Sequence, residues 1–188
     1  MELTERFTDA VAYALRLHAR QRRKFSGAPY AAHLLAVAAT VLEHGGTEDE
    51  AIAALLHDAV EDQGGQAARA AIAERFGERV ARVVEACSDS DTTPKPPWRE
   101  RKERYLADLR HAPPAVRLIV AADKLHNVRS LLADYHREGD ALWRHFRGGR
   151  DGTLWYHRCL VGVLREVDRR PIVEELERAV AALEAAVA

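Results

Sequence analysis

The stretch Ala54 to Asp62 reads A-L-L-H-D-A-V-E-D, and the rest of the chain is best understood from it. An apolar run opens it, and four ionisable groups follow within six residues. Read as one helix at ~100° per residue, His57 and Glu61 share one side, with Asp58 and Asp62 beside them. A helix presenting a His, an adjacent Asp and two more acids inward suits a metal site with carboxylates left for proton work. The plainer alternative is an amphipathic helix ending in a solvated acidic turn. The dipeptide H-D is too short to decide between them, so the decision rests on partners elsewhere.

Around this stretch the chain reads as all-α. Ala, Val and Leu recur at helical spacing, and β-branched alternating runs are scarce. At 188 residues a single domain over 1–188 is expected, with enough length to bury a core. The formal charge of −1 gives no general case for nucleic acid or an anionic membrane. No apolar run is long enough to span a bilayer, and the opening M-E-L-T-E-R-F-T is too polar for a signal peptide. Cys87 and Cys159 make no disulfide framework. A soluble, cytoplasmic protein is the expectation, with its oligomeric state open.

In chain order, Thr4 is a candidate N-cap for a first helix whose apolar face includes Phe7, Val11 and Leu15. His18, on that face, reads as a hydrogen-bonded core residue and not a ligand. Gln21 to Tyr30 is a basic turn holding Arg23, Lys24 and Ser26, suited either to a helix end or to phosphate. A second helix from about Tyr30 to His44 carries His33 in its first turn. Thr47 and Glu50 form a capping box for the third, which is expected to run through His57 and Asp58 to Gly64. Helices follow over Ala67 to Phe76 and Glu78 to Cys87.

The proline-containing loop Ser88 to Pro97 includes Lys95, and the next helix opens with Arg101 and Lys102 nearby. A long helix beginning at Pro113-Pro114 contains Asp123 among apolar neighbours. A buried carboxylate there requires a cation, a metal or a dense set of hydrogen bonds. Arg147 to Gly152 reads as a glycine-rich connection or a phosphate nest, leading to a helix from Thr153 with Tyr156 at its start. The last helix starts at Pro171.

Four residues could thus meet around one ion: His33, His57, Asp58 and Asp123. Two imidazoles and two carboxylates, without thiolate, suit Mn²⁺, Fe²⁺ or a similar ion. Glu61 and Asp62 would orient or deprotonate a water, or protonate a leaving group.

These residues resemble the HD superfamily of metal-dependent phosphohydrolases, whose fold is a compact helical bundle. Three stretches sharpen the likeness: R-K-x-S-G-x-P-Y-x-x-H (Arg23 to His33), H-D-x-V-E-D (His57 to Asp62) and A-D-K-L-H-N-x-R (Ala122 to Arg129). Together they resemble the hydrolase domain of RelA/SpoT proteins and the stand-alone small alarmone hydrolases, over residues 14–132. The resemblance implies Mn²⁺-dependent removal of the 3′-pyrophosphate of (p)ppGpp. It makes His33, His57, Asp58 and Asp123 the metal ligands and Glu61, Asp62 and Asn127 the catalytic groups. Arg23, Lys24, Ser26, Lys95, Arg101, Lys102 and Arg129 become nucleotide contacts. No synthetase segment is expected. Phe25 departs from the tighter R-K-S-G form of the long enzymes, and Trp143 to Tyr156 does not match the corresponding segment of the animal alarmone hydrolases. Two other readings stay open: an HD phosphohydrolase acting on another nucleotide or a dinucleotide cofactor phosphate, and a non-catalytic nucleotide-binding domain.

Overall fold

The computed structural model describes residues 2–89 and 96–188. Among them are ten α-helices, one 3-10 helix and no strand. The order is α1 (Glu5–Leu17), α2 (Ala31–Glu43), α3 (Glu48–Leu56), α4 (Ala59–Gln63), α5 (Gly65–Phe76), α6 (Glu78–Cys87) and α7 (Trp98–His111). Then come α8 (Pro114–Glu138), the 3-10 helix (Gly139–His145), α9 (Gly149–Val167) and α10 (Pro171–Val187). No helix among the described residues is long and apolar enough to cross a membrane.

Two helices set the frame. In α3, every residue from Ala51 to Leu56 is essentially inaccessible, so this helix is buried on all sides by α1, α2, α6 and α8. That explains its uninterrupted A-I-A-A-L-L, which no amphipathic helix would carry. Thr47 caps it as the sequence indicates: its hydroxyl accepts from the Glu50 amide while Glu50 reaches back to the Thr47 amide at 2.6 Å. The start of α1 is tied to the same corner. Thr4 caps α1 through the Arg6 amide, and its own amide and hydroxyl donate to Glu48 Oε1 at 2.6 and 2.8 Å. The second framing helix is α8, which crosses the molecule and packs against α2, α6, α9 and α10. It places Asp123 beside the end of α3.

Helix α3 does not run through the H-D pair. It stops at Leu56, and α4 starts afresh at Ala59. The reason is local: His57 Nδ1 lies 2.8 Å from the Ala54 carbonyl, the acceptor that the Asp58 amide would use in a continued helix. Asp58 settles at φ −95°, ψ 0°. A side chain takes over a backbone acceptor, a competition that apolar periodicity does not register.

Between α1 and α2 the basic segment forms a short turn, joined by an isolated antiparallel bridge between Arg22 and Pro29. The amides of Arg23 and Tyr30 donate to the carbonyls of Ala28 and Gln21, at 2.9 and 3.1 Å. His18 is a core residue, as expected. It is buried, its Nδ1 lies 2.6 Å from Gln21 Oε1, and its ring stacks on Tyr30.

Helix α9 begins at Gly149, four residues earlier than the glycine-rich reading suggests, and the 3-10 helix before it carries no sequence signature we identified. The glycines are packing sites. Trp98, at the start of α7, lays its indole over Gly148 and Gly152. A Cβ on Gly148 would sit 2.7 Å from Trp98 Cη2, although the backbone there (φ −81°) accepts any residue. Gly148→Ala is therefore expected to displace the indole and cost about 1–3 kcal/mol, the usual penalty of overpacking. Thermal melting and tryptophan emission would both report it. An unshifted melting curve with unchanged emission would show that the ring does not depend on this seat.

Candidate active site

His33 from the first turn of α2, His57 and Asp58 from the α3–α4 junction, and Asp123 from mid-α8 converge at one point. His33, His57 and Asp58 offer ligand atoms within 4.8 Å of one another. Asp58 Oδ2 is 3.0 Å from His57 Nε2 and 3.8 Å from His33 Nε2. Asp123 Oδ1 closes the fourth side, 3.2 Å from His33 Nε2 and 3.8 Å from His57 Nε2. All but Asp58 are buried.

The electrostatics suit a cation. Burial disfavours a charged His57, yet the neighbouring Asp58 carboxylate outweighs it and drives the imidazole up to about 9. Burial lowers His33, which keeps that second imidazole neutral. Burial would also raise both carboxyls, but His57 holds Asp58 below the usual range, and Lys124 with His33 does the same for Asp123. The carboxylates thus stay ionised and hold a proton on His57. A divalent ion would take that proton's place, and the donors, two nitrogens and two oxygens without thiolate, fit one.

Beside this point opens a cleft of about 550 Å³. Asp58, Glu61 and Asp62 line one side, and Asp123, Lys124 and Asn127 line another. Arg23 and Lys24 enter from the basic turn, Arg101 and Lys102 from α7, and Tyr156 and His157 from α9. Several of these are held in place. Asn127 donates to Asp123 Oδ1 at 2.5 Å and accepts from Arg23 at 2.8 Å, so one amide joins the basic turn to a candidate ligand. The Tyr30 hydroxyl donates to Asp58 Oδ2 at 2.5 Å, and Gln21 Nε2 donates to Asp62 Oδ2 at 2.8 Å. Lys124 Nζ lies 2.5 Å from Asp123 Oδ2. The Tyr156 hydroxyl is buried at the cleft with no hydrogen-bond partner, and Lys102 Nζ lies 4.8 Å from its ring centre.

Residues 10–154 match the HD-domain family. The chain belongs to the HD-domain family. Within it, the chain is 38% identical over 126 residues to the guanosine-3′,5′-bis(diphosphate) 3′-pyrophosphohydrolase MESH1 of Homo sapiens, covering 65% of this chain and 68% of that one. It is 36% identical over 127 residues to the guanosine-3′,5′-bis(diphosphate) 3′-pyrophosphohydrolase of Aquifex aeolicus, covering 68% of this chain and 18% of that protein. Among solved structures, one described as a metazoan ortholog of SpoT that hydrolyzes ppGpp superimposes with a TM-score of 0.81 at 25% identity. The match covers 100% of this chain and 99% of that one. The protein lmo0812 of Listeria monocytogenes gives 0.69 at 30% identity, covering 79% and 96%.

Of the residues that the sequence singles out in this HD-domain chain, most come together at the cleft and some do not. The four candidate ligands meet, and Glu61, Asp62, Asn127, Arg23, Lys24, Arg101 and Lys102 all reach the cleft. Arg101 and Lys102 arrive already paired with Asp89. Ser26 lies outside the cleft wall, its hydroxyl turned to the Ala28 amide at 3.4 Å. Arg129 is exposed and reaches Glu175 on α10 at 3.2 Å, away from the cleft. Lys95 lies outside the described residues. Phe25 lines the cleft with its ring 5.3 Å from that of His145. Arg147 and Gly148 line it too, in the tight connection ahead of α9. Sequence reasoning passed over Tyr30 and Lys124, although both sit inside the quoted motifs. Asp89, at the start of the proline-containing loop, and Trp98, just after it, carry no comparable signal.

Proposed function

We propose that this HD-domain chain hydrolyses the 3′-pyrophosphate of (p)ppGpp, releasing pyrophosphate and leaving GDP or GTP. One observation carries the reading: two histidines and two aspartates converge beside two further acids, Glu61 and Asp62, and a cation-lined cleft. Relatives named for this reaction match 65% of the chain, and the HD-domain match over residues 10–154 spans all of these residues. We take Mn²⁺ as the working ion, held by His33, His57, Asp58 and Asp123, because the donors are nitrogen and oxygen only. Such an ion supplies a water of lowered pKa and polarises a phosphoryl oxygen.

The chain's own groups do the rest. Glu61 and Asp62, one turn beyond the ligand pair, orient the attacking water and take or return a proton. Asn127 steadies Asp123 and Arg23 together. Arg23, Lys24 and Lys102 offset the phosphate charge, with Arg101 seated on Asp89 behind them. Lys124 neutralises the second oxygen of Asp123. The Tyr156 hydroxyl is a donor placed to meet a phosphate oxygen. Ser26 and Arg129 receive no contact in this reading. The setting is the cytoplasm, which fits two free thiols, Cys87 and Cys159.

The test is hydrolysis of ppGpp by metal-stripped protein with Mn²⁺ added back, the products resolved by chromatography. GDP and pyrophosphate should appear only when the ion is present. Release of orthophosphate alone, or intact ppGpp alongside cleavage of another nucleotide, would replace the substrate assignment.

A further inference from the structure

His33 makes contacts through both ring nitrogens. Its Nε2 faces the other candidate ligands, 3.2 Å from Asp123 Oδ1 and 3.3 Å from His57 Nε2. Its Nδ1 points away from them and lies 2.9 Å from Nδ1 of His126. His126 sits one turn after Asp123 on α8, so one helix face supplies both a ligand and the group behind another ligand.

The two ligand histidines are backed differently. His57 Nδ1 meets the Ala54 carbonyl, which can only accept, so the backbone fixes a proton on Nδ1, and Nε2 is the nitrogen whose proton an ion would replace. Behind His33 stands a second imidazole, which can donate or accept. Two facing Nδ1 atoms at hydrogen-bond distance require one proton between them, so two arrangements exist. In one, His33 donates from Nδ1 and its Nε2 lone pair is available to an ion. In the other, His126 donates, the proton of neutral His33 moves to Nε2, and the position an ion needs is blocked.

We propose that His126 is a positioning residue for the metal centre. It accepts from His33 Nδ1–H, carries its own proton on Nε2, and so holds His33 in the ligating tautomer. This rests on the reading of His33 as a metal ligand. Partners behind a ligating histidine commonly set its tautomer and orientation, and their loss weakens metal binding by about 10–100-fold. The ring contact itself (centroids 4.8 Å apart) would serve packing equally well, so the test has to separate an acceptor from a filler.

Mn²⁺ binding to metal-stripped protein, measured by titration calorimetry, is compared for wild type, His126→Phe and His126→Asn. Phenylalanine keeps a ring and removes the acceptor, while asparagine keeps an acceptor near the place of Nδ1. The expected result is about 10–100-fold weaker binding for His126→Phe and binding within a few-fold of wild type for His126→Asn. The metal-free melting temperature of His126→Phe should be no lower than wild type. Equal Mn²⁺ affinity for His126→Phe and wild type would overturn the proposal, as would equal weakening in both variants, which would mark a packing role. A wild-type protein that binds no Mn²⁺ would instead remove the metal reading beneath it. Should His126→Phe fail to fold, nitrogen NMR of wild type with Zn²⁺ decides directly. Protonation at His33 Nδ1 and His126 Nε2 supports the assignment, and the reverse pattern refutes it.

Discussion

Asp123→Ala is expected to yield a protein that retains no divalent ion and shows no measurable ppGpp hydrolysis. The carboxylate is 6% exposed and carries three interactions at once. It accepts from Asn127, pairs with Lys124, and faces the Nε2 atoms of His33 and His57. Its removal deletes one of four candidate ligands and strands a largely buried ammonium. Breaking a buried pair from one side typically costs about 3–5 kcal/mol, because the remaining charge keeps its desolvation penalty without a partner. A clear fall in melting temperature should accompany the loss of metal. Asp123→Asn separates the two effects. The amide oxygen can still accept from Lys124, so stability should recover in part while Mn²⁺ binding does not. If Asp123→Ala still bound one Mn²⁺ per chain and turned over ppGpp, the assignment of this residue would be wrong.

Asp62→Ala should do the opposite: leave metal and fold intact and remove the chemistry. Asp62 is exposed on α4 and lines the cleft, where it accepts from Gln21. No buried partner is stranded by its loss, so the melting temperature and the Mn²⁺ affinity should stay at wild-type values. General acid or base groups typically contribute about 10²–10⁴-fold, and kcat should fall by that order with KM little changed. Full activity in Asp62→Ala would move the proton transfer to Glu61, and Glu61→Gln would then have to show the loss instead.

The framework of the fold was legible because it depends on local chemistry. Thr4 and Thr47 cap helices by bonds within a turn, and Pro114 and Pro171 open helices for reasons internal to the proline ring. The break at His57 was not legible, since the imidazole that ends α3 does so through a hydrogen bond to Ala54. In an apolar run with helical spacing, such a bond leaves no mark. The start of α9 was hidden because Gly148 and Gly152 read as loop formers, whereas their role is to admit the Trp98 ring from another helix.

At the site, the candidate ligands could be named from residue type, spacing and the family resemblance, but the residues that hold them could not. Tyr30 and His126 act across distances of 28 and 93 residues, on Asp58 and His33. Arg129 shows a different failure. Asp123 and Asn127 are four apart and share a face of α8, while Arg129, two further on, is turned away by about 200°. Helix phase alone separates it from the cleft, and its contact with Glu175 agrees.

The burial of α3 on every side has a kinetic consequence. Amides in such a segment open to solvent only with the whole molecule, so its hydrogen exchange should be among the slowest in the chain. His57 hangs from the end of that helix and shares its persistence. The backbone of the turn bearing Arg23 and Lys24 is fastened by one bridge and a few hydrogen bonds, with the Arg23 side chain on Asn127, and it should exchange far sooner. The turn at the mouth of the cleft can thus open and close many times for each opening of the helix that carries His57.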